Sequence, residues 1–364
     1  MDAVFKPRRW TPSVAIVFAL GLALGFAICQ LKSVDFPSAT RNLIRNEVAE
    51  KSLIQMSRDK ELNSSLAKEL LLRVEEMEAR KMSEDVRVLC WVMTTPENHE
   101  EKAVHVKATW GRHCNKLIFI SNEEDESLPA LKLPGVFNSS LGRQGLWSKT
   151  VAAFKYVYQN CSGEYDWVMK ADDDTYVIVE NLRKMLLPYS PEDPIYFGSR
   201  FRRFTPDGFM SGGAGFVLSK EAVRRVVTEA FDGKHKDCKL STYESEADDV
   251  LIAQCLYPVG VKIGESRDAL GRNRFFPFDS EWHTHPHNKD SKDWWYWDYI
   301  WWPSDETVDN CSDEVISFHY MDKFKMYMME YLVYHVRPFG VRHLQKYDLE
   351  AAKRITEKEN AIKS

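Results

Sequence analysis

Apolar and polar positions near the start of the globular region predict a strand, a helix and a second strand. Residues 86–93 and 116–121 are mostly apolar runs typical of buried strands, and Ala103, Val106 and Trp110 share one side of the helical pattern between them. A strand, a helix and a strand within about 35 residues form a βαβ unit, so we expect the two strands to pair in parallel.

Polar positions at the ends of these strands are candidate nucleotide contacts, because ligands of open α/β sheets bind outside the carboxyl ends of the strands. Met93-Thr94 and Ser121-Asn122 occupy such positions, with ordinary turn chemistry as the alternative. A helix predicted over residues 146–158 carries Lys149. This lysine is either a solvated surface residue or, if the helix start faces the site, a phosphate partner.

The next predicted strand, residues 167–169, leads into three consecutive carboxylates, Asp172, Asp173 and Asp174. Adjacent carboxylates beside a buried strand are costly, because like charges repel and each loses hydration. Mg²⁺ or Mn²⁺ would offset this cost, since both prefer oxygen ligands and bridge nucleotide phosphates. The pattern predicts a nucleotide-binding half followed by a metal site. The alternative is an acidic turn that caps the next helix.

Two motifs in the second half are candidates for acceptor binding and catalysis. Ser211, Gly212 and Gly213 open a glycine-rich segment that would let the backbone approach a substrate closely. Asp248 and Asp249 open a predicted helix. A general base that projects into a pocket would suit this position, but acidic residues are also ordinary at a helix start, where the helix dipole favours them.

Two late features have both a structural and a functional interpretation. His319 ends a short apolar run, and it is either a structural histidine or a further ligand for the predicted metal site. Residues 294–302 are almost all aromatic and form either a corner of the core or a sugar-stacking surface. In the second interpretation, Trp297 and Tyr299 are our candidates for a wall against an acceptor sugar.

The N-terminus predicts a membrane anchor. Lys6, Arg8 and Arg9 precede an uncharged apolar stretch at residues 14–31. As a helix this stretch is about 27 Å long, close to the roughly 30 Å core of a bilayer. The positive flank should keep the N-terminus cytoplasmic and place the bulk of the chain in a lumen. A cleaved signal peptide is the alternative.

The predicted organisation follows from this anchor. We expect a cytoplasmic tail, a transmembrane signal anchor, a helical stem, a luminal domain and a charged tail, at residues 1–13, 14–31, 32–84, 85–345 and 346–364. A leucine-rich stripe in the stem would permit self-association. The whole chain has a net charge of −5, so no broad basic excess argues for nucleic acid as a partner.

Cysteine usage agrees with an oxidising compartment. Six of the seven cysteines lie outside the predicted anchor, and six cysteines allow fifteen pairings, so counting leaves the connectivity open. Four Asn-x-Ser sequons, at Asn63, Asn138, Asn160 and Asn310, are candidate sites of surface glycosylation.

Several motifs together resemble a known family. They are Lys107-Ala-Thr-Trp110, Asp172-Asp-Asp174, Ser211-Gly-Gly-Ala-Gly215, Asp248-Asp249-Val250 and Ser317-Phe-His-Tyr320. As a set they are similar to the β1,3-glycosyltransferase superfamily that includes Fringe. Within it, residues 86–340 most resemble the core 1 β1,3-galactosyltransferases, whereas the stem and the charged tail do not carry the likeness.

This resemblance implies a GT-A fold, with a Rossmann-like nucleotide half and an acceptor half. It implies UDP-galactose as the donor, Mn²⁺ as the metal and inverting transfer to the 3-hydroxyl of GalNAc-α-Ser/Thr on mucin-type glycoproteins, which forms the core 1 O-glycan. It also implies a type II protein of the Golgi membrane. A homodimer and a dedicated chaperone are further partners consistent with it.

The resemblance also assigns roles to individual residues. Asp172 and Asp173 would contact the uridine and ribose, Asp174 and His319 would hold the metal, and Asp249 would be the base. The remaining nucleotide-side positions are Met93, Asn122, Gly142, Arg143, Lys149 and Tyr320. The family has a Glu-Asp pair where this chain has Asp248-Asp249, so the first position departs from the pattern. The implied disulfides are Cys90–Cys114, Cys238–Cys255 and Cys161–Cys311.

Three rival functions remain open from the sequence. A related β1,3-glycosyltransferase could use another donor and acceptor, and the motifs barely separate that case. A non-enzymatic, chaperone-like paralogue is disfavoured because Asp172-Asp173-Asp174 is intact. A coiled-coil stem that carries an inert lectin-like head is a further non-enzymatic alternative, and nucleotide binding separates it from an enzyme.

Overall fold

The computed structural model describes residues 79–134, 145–233, 247–285, 295–302 and 307–336, together with residues 235, 236 and 238. The predicted anchor, most of the predicted stem, the charged tail and the candidate residues Gly142 and Arg143 lie outside the described residues. In the part of the chain that is described, no helix combines the length and the apolar character needed to span a membrane.

Strands and helices alternate along the described residues, as the apolar pattern predicts. The strands are β1 Val88–Met93, β2 Lys116–Ser121, β3 Ala130–Lys132, β4 Trp167–Asp172, β5 Tyr176–Val177, β6 Ile195–Gly198, β7 Arg200–Phe201, β8 Phe209–Met210, β9 Phe216–Ser219, β10 Lys262–Ile263, β11 Phe275–Phe276 and β12 Ser317–Phe318. The helices are α1 Val104–Ala108, α2 Leu146–Asn160, α3 Val179–Leu186, α4 Lys220–Arg225, α5 Asp248–Leu256, α6 Ser280–Thr284, α7 Trp295–Tyr299 and α8 Lys323–Tyr334. Residues 79–85 are also helical.

A mixed sheet of seven strands, in the order β10-β6-β9-β4-β1-β2-β3, forms the centre of the fold. Strands β1 and β2 pair in parallel, which confirms the predicted βαβ unit. Strand β4 is parallel to β1, and β9 is antiparallel to both β4 and β6. Strands β1, β2, β4, β6 and β10 therefore all end at the same edge of the sheet.

Alternate residues of the central strand enter two different cores, because successive side chains of a strand point to opposite faces. Val88, Cys90 and Val92 belong to one hydrophobic cluster, and Leu89, Trp91 and Met93 belong to the other. The first cluster includes residues of α3, β11 and β12, and the second includes residues of α2, α4 and α5. The result is a mixed α/β architecture with apolar layers on both faces of the sheet.

The disulfide expectations are correct for two pairs and wrong for the third. Cys90 is bonded to Cys114, and Cys238 is bonded to Cys255. The expected Cys161–Cys311 bond is absent. The physical reason is the sheet itself: Cys161 lies in the cluster on one face and Cys311 in the cluster on the other.

Some predicted elements are shorter or more broken than expected. The helical pattern around Val106 is divided into a π turn, the short helix α1 and a 3-10 turn at Trp110–His113. The glycine-rich segment lies between the short strands β8 and β9, and its Gly215 has φ +74°. An added Cβ at Gly215 would lie 2.5 Å from the side chain of Met169, so glycine is required there by both backbone and space.

Candidate active site

The carboxyl edge of the sheet gathers the predicted nucleotide-side positions. In the register of the central strands, Met93 of β1 is aligned with Asp172 of β4 and with Ile120 of β2. Asn122 follows β2 and is 7% exposed. The backbone N–H of Thr94 donates to Ile120 at 3.0 Å, which extends the pairing beyond the end of β1. This edge is where open α/β sheets bind ligands.

Three side chains at this edge form a candidate cation site. Asp172, Asp174 and His319 each offer one ligand atom, and these atoms lie within 4.8 Å of one another. The Nε2 atom of His319 is 3.1 Å from Asp174 and 3.8 Å from Asp172. The other ring nitrogen, Nδ1, is 3.2 Å from the carbonyl oxygen of Pro277. That contact is typical of a metal-binding histidine, because it fixes the tautomer and leaves Nε2 free to ligate.

A second, three-stranded sheet brings His319 to the carboxylates. Strand β12 lies between β11 and β5, and Phe318 of β12 is paired with Tyr176 of β5. Asp174 precedes β5 and His319 follows β12. Because that pair is antiparallel, these two ends are adjacent. The Met321 N–H also donates to the carbonyl oxygen of Asp174 at 2.8 Å, so the backbone holds both segments together.

Two adjacent glycines connect the cation site to the candidate base. A Cβ added at Gly213 would lie 2.3 Å from the ring of His319, and one added at Gly212 would lie 3.2 Å from Asp249. The Gly212 N–H donates to Asp249 Oδ2 at 2.8 Å. The glycine-rich segment therefore packs directly against His319 and Asp249. These two side chains occupy the space that larger residues at positions 213 and 212 would need.

Asp249 is held at the start of α5 by two backbone donors. Besides the bond from Gly212, the Val250 N–H donates to Asp249 Oδ1 at 2.9 Å. Burial, with a contribution from the charge of Asp248, raises the pKa of Asp249 to about 6. A carboxylate with this pKa is ionised at neutral pH and is more basic than an ordinary aspartate, which suits a general base.

Lys170, in the buried strand β4, supplies the positive charge beneath the site. Its side chain is 1% exposed, and Nζ lies 2.6 Å from Asp172 and 3.8 Å from Asp248. Burial opposes the ammonium form, yet these carboxylates hold the pKa of Lys170 above its ordinary value. Asp248 also accepts a hydrogen bond from Thr150 at 2.8 Å. The first acid of the pair thus faces the buried lysine, whereas Asp249 faces the glycines.

The other two acids of the triplet have different partners. Asp173 accepts a hydrogen bond from the Thr94 hydroxyl at 2.8 Å, and burial raises its pKa to about 6. Asp174 is 2.9 Å from Lys102. Burial opposes ionisation of Asp174, but His319 and Lys102 hold its pKa below the ordinary value. The three consecutive acids are thus divided between a cation site and a buried hydrogen bond.

Lys149 is not the solvated surface residue that its sequence position allowed. It is 3% exposed in the first turns of α2, and Nζ donates to the carbonyl oxygen of Thr94 at 2.7 Å. Burial lowers the pKa of Lys149 to about 8. A buried ammonium at the carboxyl edge of the sheet is suitably placed for a phosphate group.

The aromatic segment forms a block beside Asp249. Tyr296 and Ile300 of this segment lie in one cluster with Val250 and Ala253 of α5. Trp297 and Tyr299 are half-buried at the edge of that cluster, so the segment is a corner of the core that also leaves aromatic edges accessible. Tyr320 is 55% exposed, has φ +53° and stacks on His319 at a centroid distance of 3.9 Å.

The nucleotide contact of Asp172 stays a prediction, and the structure adds that Asp172 lies within reach of Asp174 and His319. Sequence reasoning missed the roles of Lys170 and Lys102. A signal for Lys170 was available, because a lysine within the apolar run of a buried strand needs a paired charge. No local signal marks Lys102, since its contact with Asp174 depends on how the chain packs.

Fold and site together define an α/β protein with a candidate divalent-cation site and a buried carboxylate, the candidate base Asp249, at one edge of its sheet. A family model described as Fringe-like matches residues 83–268. The glycoprotein-N-acetylgalactosamine 3-beta-galactosyltransferase 1 of Xenopus laevis is 40% identical over 343 residues, which are 94% of this chain and 89% of that protein. This chain therefore belongs to the Fringe-like family of β1,3-glycosyltransferases, which confirms the resemblance seen in its motifs.

More distant relatives carry other specificities in their names. The beta-1,3-glucosyltransferase of Mus musculus is 26% identical over 54% of this chain and 40% of that protein. Chondroitin sulfate synthase 3 of Mus musculus is 26% identical over 46% of this chain and 20% of that protein. The crystal structure of mouse xyloside xylosyltransferase 1 in its apo form covers 64% of this chain and 97% of that chain at 14% identity, and its TM-score of 0.35 is too low to define the fold.

The contact between Gly213 and His319 gives a testable prediction. In Gly213→Ala, the new methyl group would lie 2.3 Å from the imidazole, so the ring must shift. We expect loss of divalent-cation-dependent UDP binding and a cost of about 1–3 kcal/mol in unfolding free energy from overpacking. Calorimetric titration of UDP with and without Mn²⁺ measures the effect.

Gly163→Ala is the matched control, because Gly163 has φ +86° with no atom near its Cβ position. It should cost about 1 kcal/mol of unfolding free energy through backbone strain and leave Mn²⁺-dependent binding intact. Equal Mn²⁺-dependent binding by wild type and Gly213→Ala would remove His319 from the cation site.

Proposed function

We propose that this protein transfers galactose from UDP-galactose to the 3-hydroxyl of GalNAc-α-Ser/Thr on glycoproteins, with inversion, to form the core 1 O-glycan. One observation supports the proposal: adjacent glycines contact both His319, of the candidate three-ligand cation site, and the buried carboxylate of Asp249. The name of the Xenopus relative supports the choice of donor sugar and acceptor.

The donor half of the reaction uses the carboxyl ends of β1, β2 and β4. Asp172, Asp174 and His319 would hold the divalent cation, which we propose is Mn²⁺, and the oxygen-rich donor set suits that ion. When bound, it would stabilise the charge that develops on the diphosphate. Lys149 lies at the same edge and would add a second positive charge beside the phosphates.

The acceptor half uses Asp249 and the aromatic block. Asp249 would accept the proton from the 3-hydroxyl of GalNAc as that oxygen attacks the anomeric carbon from the face opposite UDP. The backbone donors at Gly212 and Val250 fix the orientation of its carboxylate. Trp297 and Tyr299 would pack against the acceptor sugar, with Ser211 on the adjoining segment.

The decisive test of this function is acceptor and donor profiling. The purified protein is incubated with UDP-galactose, UDP-GlcNAc or UDP-glucose and a GalNAc-Ser/Thr glycopeptide, with and without Mn²⁺. We expect Mn²⁺-dependent transfer of galactose alone. Transfer of another sugar would favour a related β1,3-glycosyltransferase, and UDP binding without any turnover would favour a chaperone-like paralogue.

Asp249→Asn should fold and bind UDP but lose turnover. General-base catalysis contributes about 10²–10⁴-fold, so kcat should fall within that range. Asp298→Asn is the matched control, because Asp298 lies exposed on α7 in the adjacent aromatic segment. Turnover of Asp249→Asn at the wild-type rate, with intact UDP binding in both proteins, would exclude Asp249 as the base.

The pH profile should follow the pKa of Asp249. A base is active when ionised, so kcat/KM should be highest above pH 6 and fall about ten-fold per pH unit below it, given the raised pKa of about 6. The residual activity of Asp249→Asn should lack this acidic limb. If kcat/KM of Asp249→Asn falls below pH 6 as it does in wild type, at saturating Mn²⁺, the ionisation belongs to another group.

We also propose that the protein is a type II membrane protein, because Lys6, Arg8 and Arg9 precede the apolar stretch at residues 14–31. The Golgi as its location rests on the resemblance to the core 1 β1,3-galactosyltransferases. We further propose that the luminal domain has a GT-A fold. The protein would form a homodimer through its stem and depend on a dedicated chaperone. Full-length protein should stay in the membrane pellet after alkaline carbonate extraction. Release into the supernatant would favour a cleaved signal peptide.

A further inference from the structure

A cavity separate from the candidate cation site lies along the same edge of the sheet. It has a volume of about 180 Å³ and is bounded by the segments that follow β6 and β10. Because β6 and β10 run in the same direction as β4, this cavity lies on the catalytic side of the sheet. Its polar and aromatic lining includes Arg200, Arg267, Arg274, Glu265, Trp301 and Trp302.

One arginine of the cavity wall has no direct ion-pair partner. Arg267 is paired with Glu265 at 2.8 Å, and Arg274 is paired with Glu314. Arg200, in contrast, has no carboxylate within 4.0 Å among the described residues, and its side chain donates from Nε to the carbonyl oxygen of Asp207. Its guanidinium is half-buried and stacks on Trp301 at 3.6 Å, which holds its remaining donors in a fixed plane.

A second polar group in the cavity wall also lacks a partner. The Nε atom of Arg274 is buried and has no hydrogen-bond partner among the described residues. Burying an unpaired donor costs about 1–3 kcal/mol, so such a group calls for a ligand or for ordered water. The terminal nitrogens of Arg274 already donate to Arg267 and Glu314, so Arg200 is the arginine that presents planar donors suited to an oxyanion.

A backbone hydrogen bond joins the cavity wall to the segment that holds the candidate base. Ser199 lies in the cavity wall, and its carbonyl oxygen accepts a hydrogen bond from the Ser211 N–H at 2.8 Å. The next residue, Gly212, is the one that donates to Asp249. The aromatic residue Tyr296 belongs both to the cavity wall and to the cluster that packs against the helix of Asp249.

We propose that this cavity is a subsite for a carboxylate carried by the acceptor glycoprotein close to the glycosylated residue. The inference rests on the proposed function, since it names a further part of the acceptor that the same site binds. One arginine without a direct ion-pair partner matches one negative charge, which favours a singly charged carboxylate over a doubly charged phosphate. Trp301 and Trp302 would cover the apolar part of the acidic side chain.

The fold sets the spacing between this carboxylate and the sugar. The cavity begins at β6, two strands away from β4 in the sheet order. Neighbouring strands are about 4.8 Å apart, so the separation is about 10 Å. An extended peptide covers about 3.3 Å per residue, which places the acidic residue about three residues from the glycosylated Ser or Thr.

The test uses paired glycopeptides that differ only by Glu or Gln at one position, with that position moved stepwise along the peptide. For wild type we expect kcat/KM to favour Glu by about ten-fold at a spacing of about three residues, as a charge-assisted hydrogen bond would give. In Arg200→Gln the Glu/Gln ratio should fall to about one. Arg202→Gln is the matched control: Arg202 is exposed, lies outside the cavity wall and should keep the wild-type ratio.

A third peptide arm carries the carboxylate on an acidic sugar attached to the GalNAc, instead of on a side chain. If wild type prefers the glycopeptide with the acidic sugar, and Arg200→Gln abolishes that preference, the carboxylate subsite is supported and its ligand is the sugar carboxylate. Wild type with a Glu/Gln ratio of one at every position, and with no preference for the acidic sugar, overturns the proposal. A Glu/Gln ratio of kcat/KM values that is the same in Arg200→Gln as in wild type also overturns the proposal.

Equilibrium binding separates this inference from the proposed function. If no glycopeptide receives galactose, the proposed function fails, and the dissociation constants of the same Glu and Gln peptides then decide the subsite. A tighter Kd for the Glu peptide that Arg200→Gln removes supports the carboxylate subsite. Equal Kd values for both peptides reject it.

Discussion

The buried ammonium of Lys170 is the charge on which the acidic site depends. It lies within a strand of the central sheet, where an unpaired charge would be strongly unfavourable, and it approaches Asp172 to 2.6 Å and Asp248 to 3.8 Å. The Lys170 ammonium therefore stabilises carboxylates from two segments that are distant in sequence. This arrangement leaves Asp174 and Asp249 for other partners, so Lys170 and its two carboxylates position both the candidate cation site and the candidate base.

Close approach of backbone to side chain is the second constraint on the site. Gly212 and Gly213 occupy positions where any larger side chain would displace Asp249 or the imidazole of His319. The metal-side and acceptor-side groups are thus fixed relative to one another by two successive residues. Rigid placement of this kind lowers the entropic cost of bringing donor and acceptor together.

Much of the nucleotide-binding half could be predicted from local pattern. Strand β2 has the predicted bounds, β1 and β2 pair in parallel as expected, and the helix of Asp249 begins at the predicted acidic pair. The predicted Cys161–Cys311 bond was wrong, because the pattern of cysteines along the chain does not reveal which face of a sheet each one occupies. The same limitation hid the contact of Lys102 with Asp174, which depends entirely on packing.

The sequence by itself determined the order of strands and helices, the position of the three acids after a buried strand and the family to which the chain belongs. These follow from hydrophobic periodicity and short motifs, which are properties of neighbouring residues. Only the tertiary structure decided that His319 joins Asp172 and Asp174, that Lys170 pairs with Asp248, and that an arginine-lined cavity continues the same edge. Such contacts join residues far apart in sequence, and they form only when the two sheets and their covering helices pack.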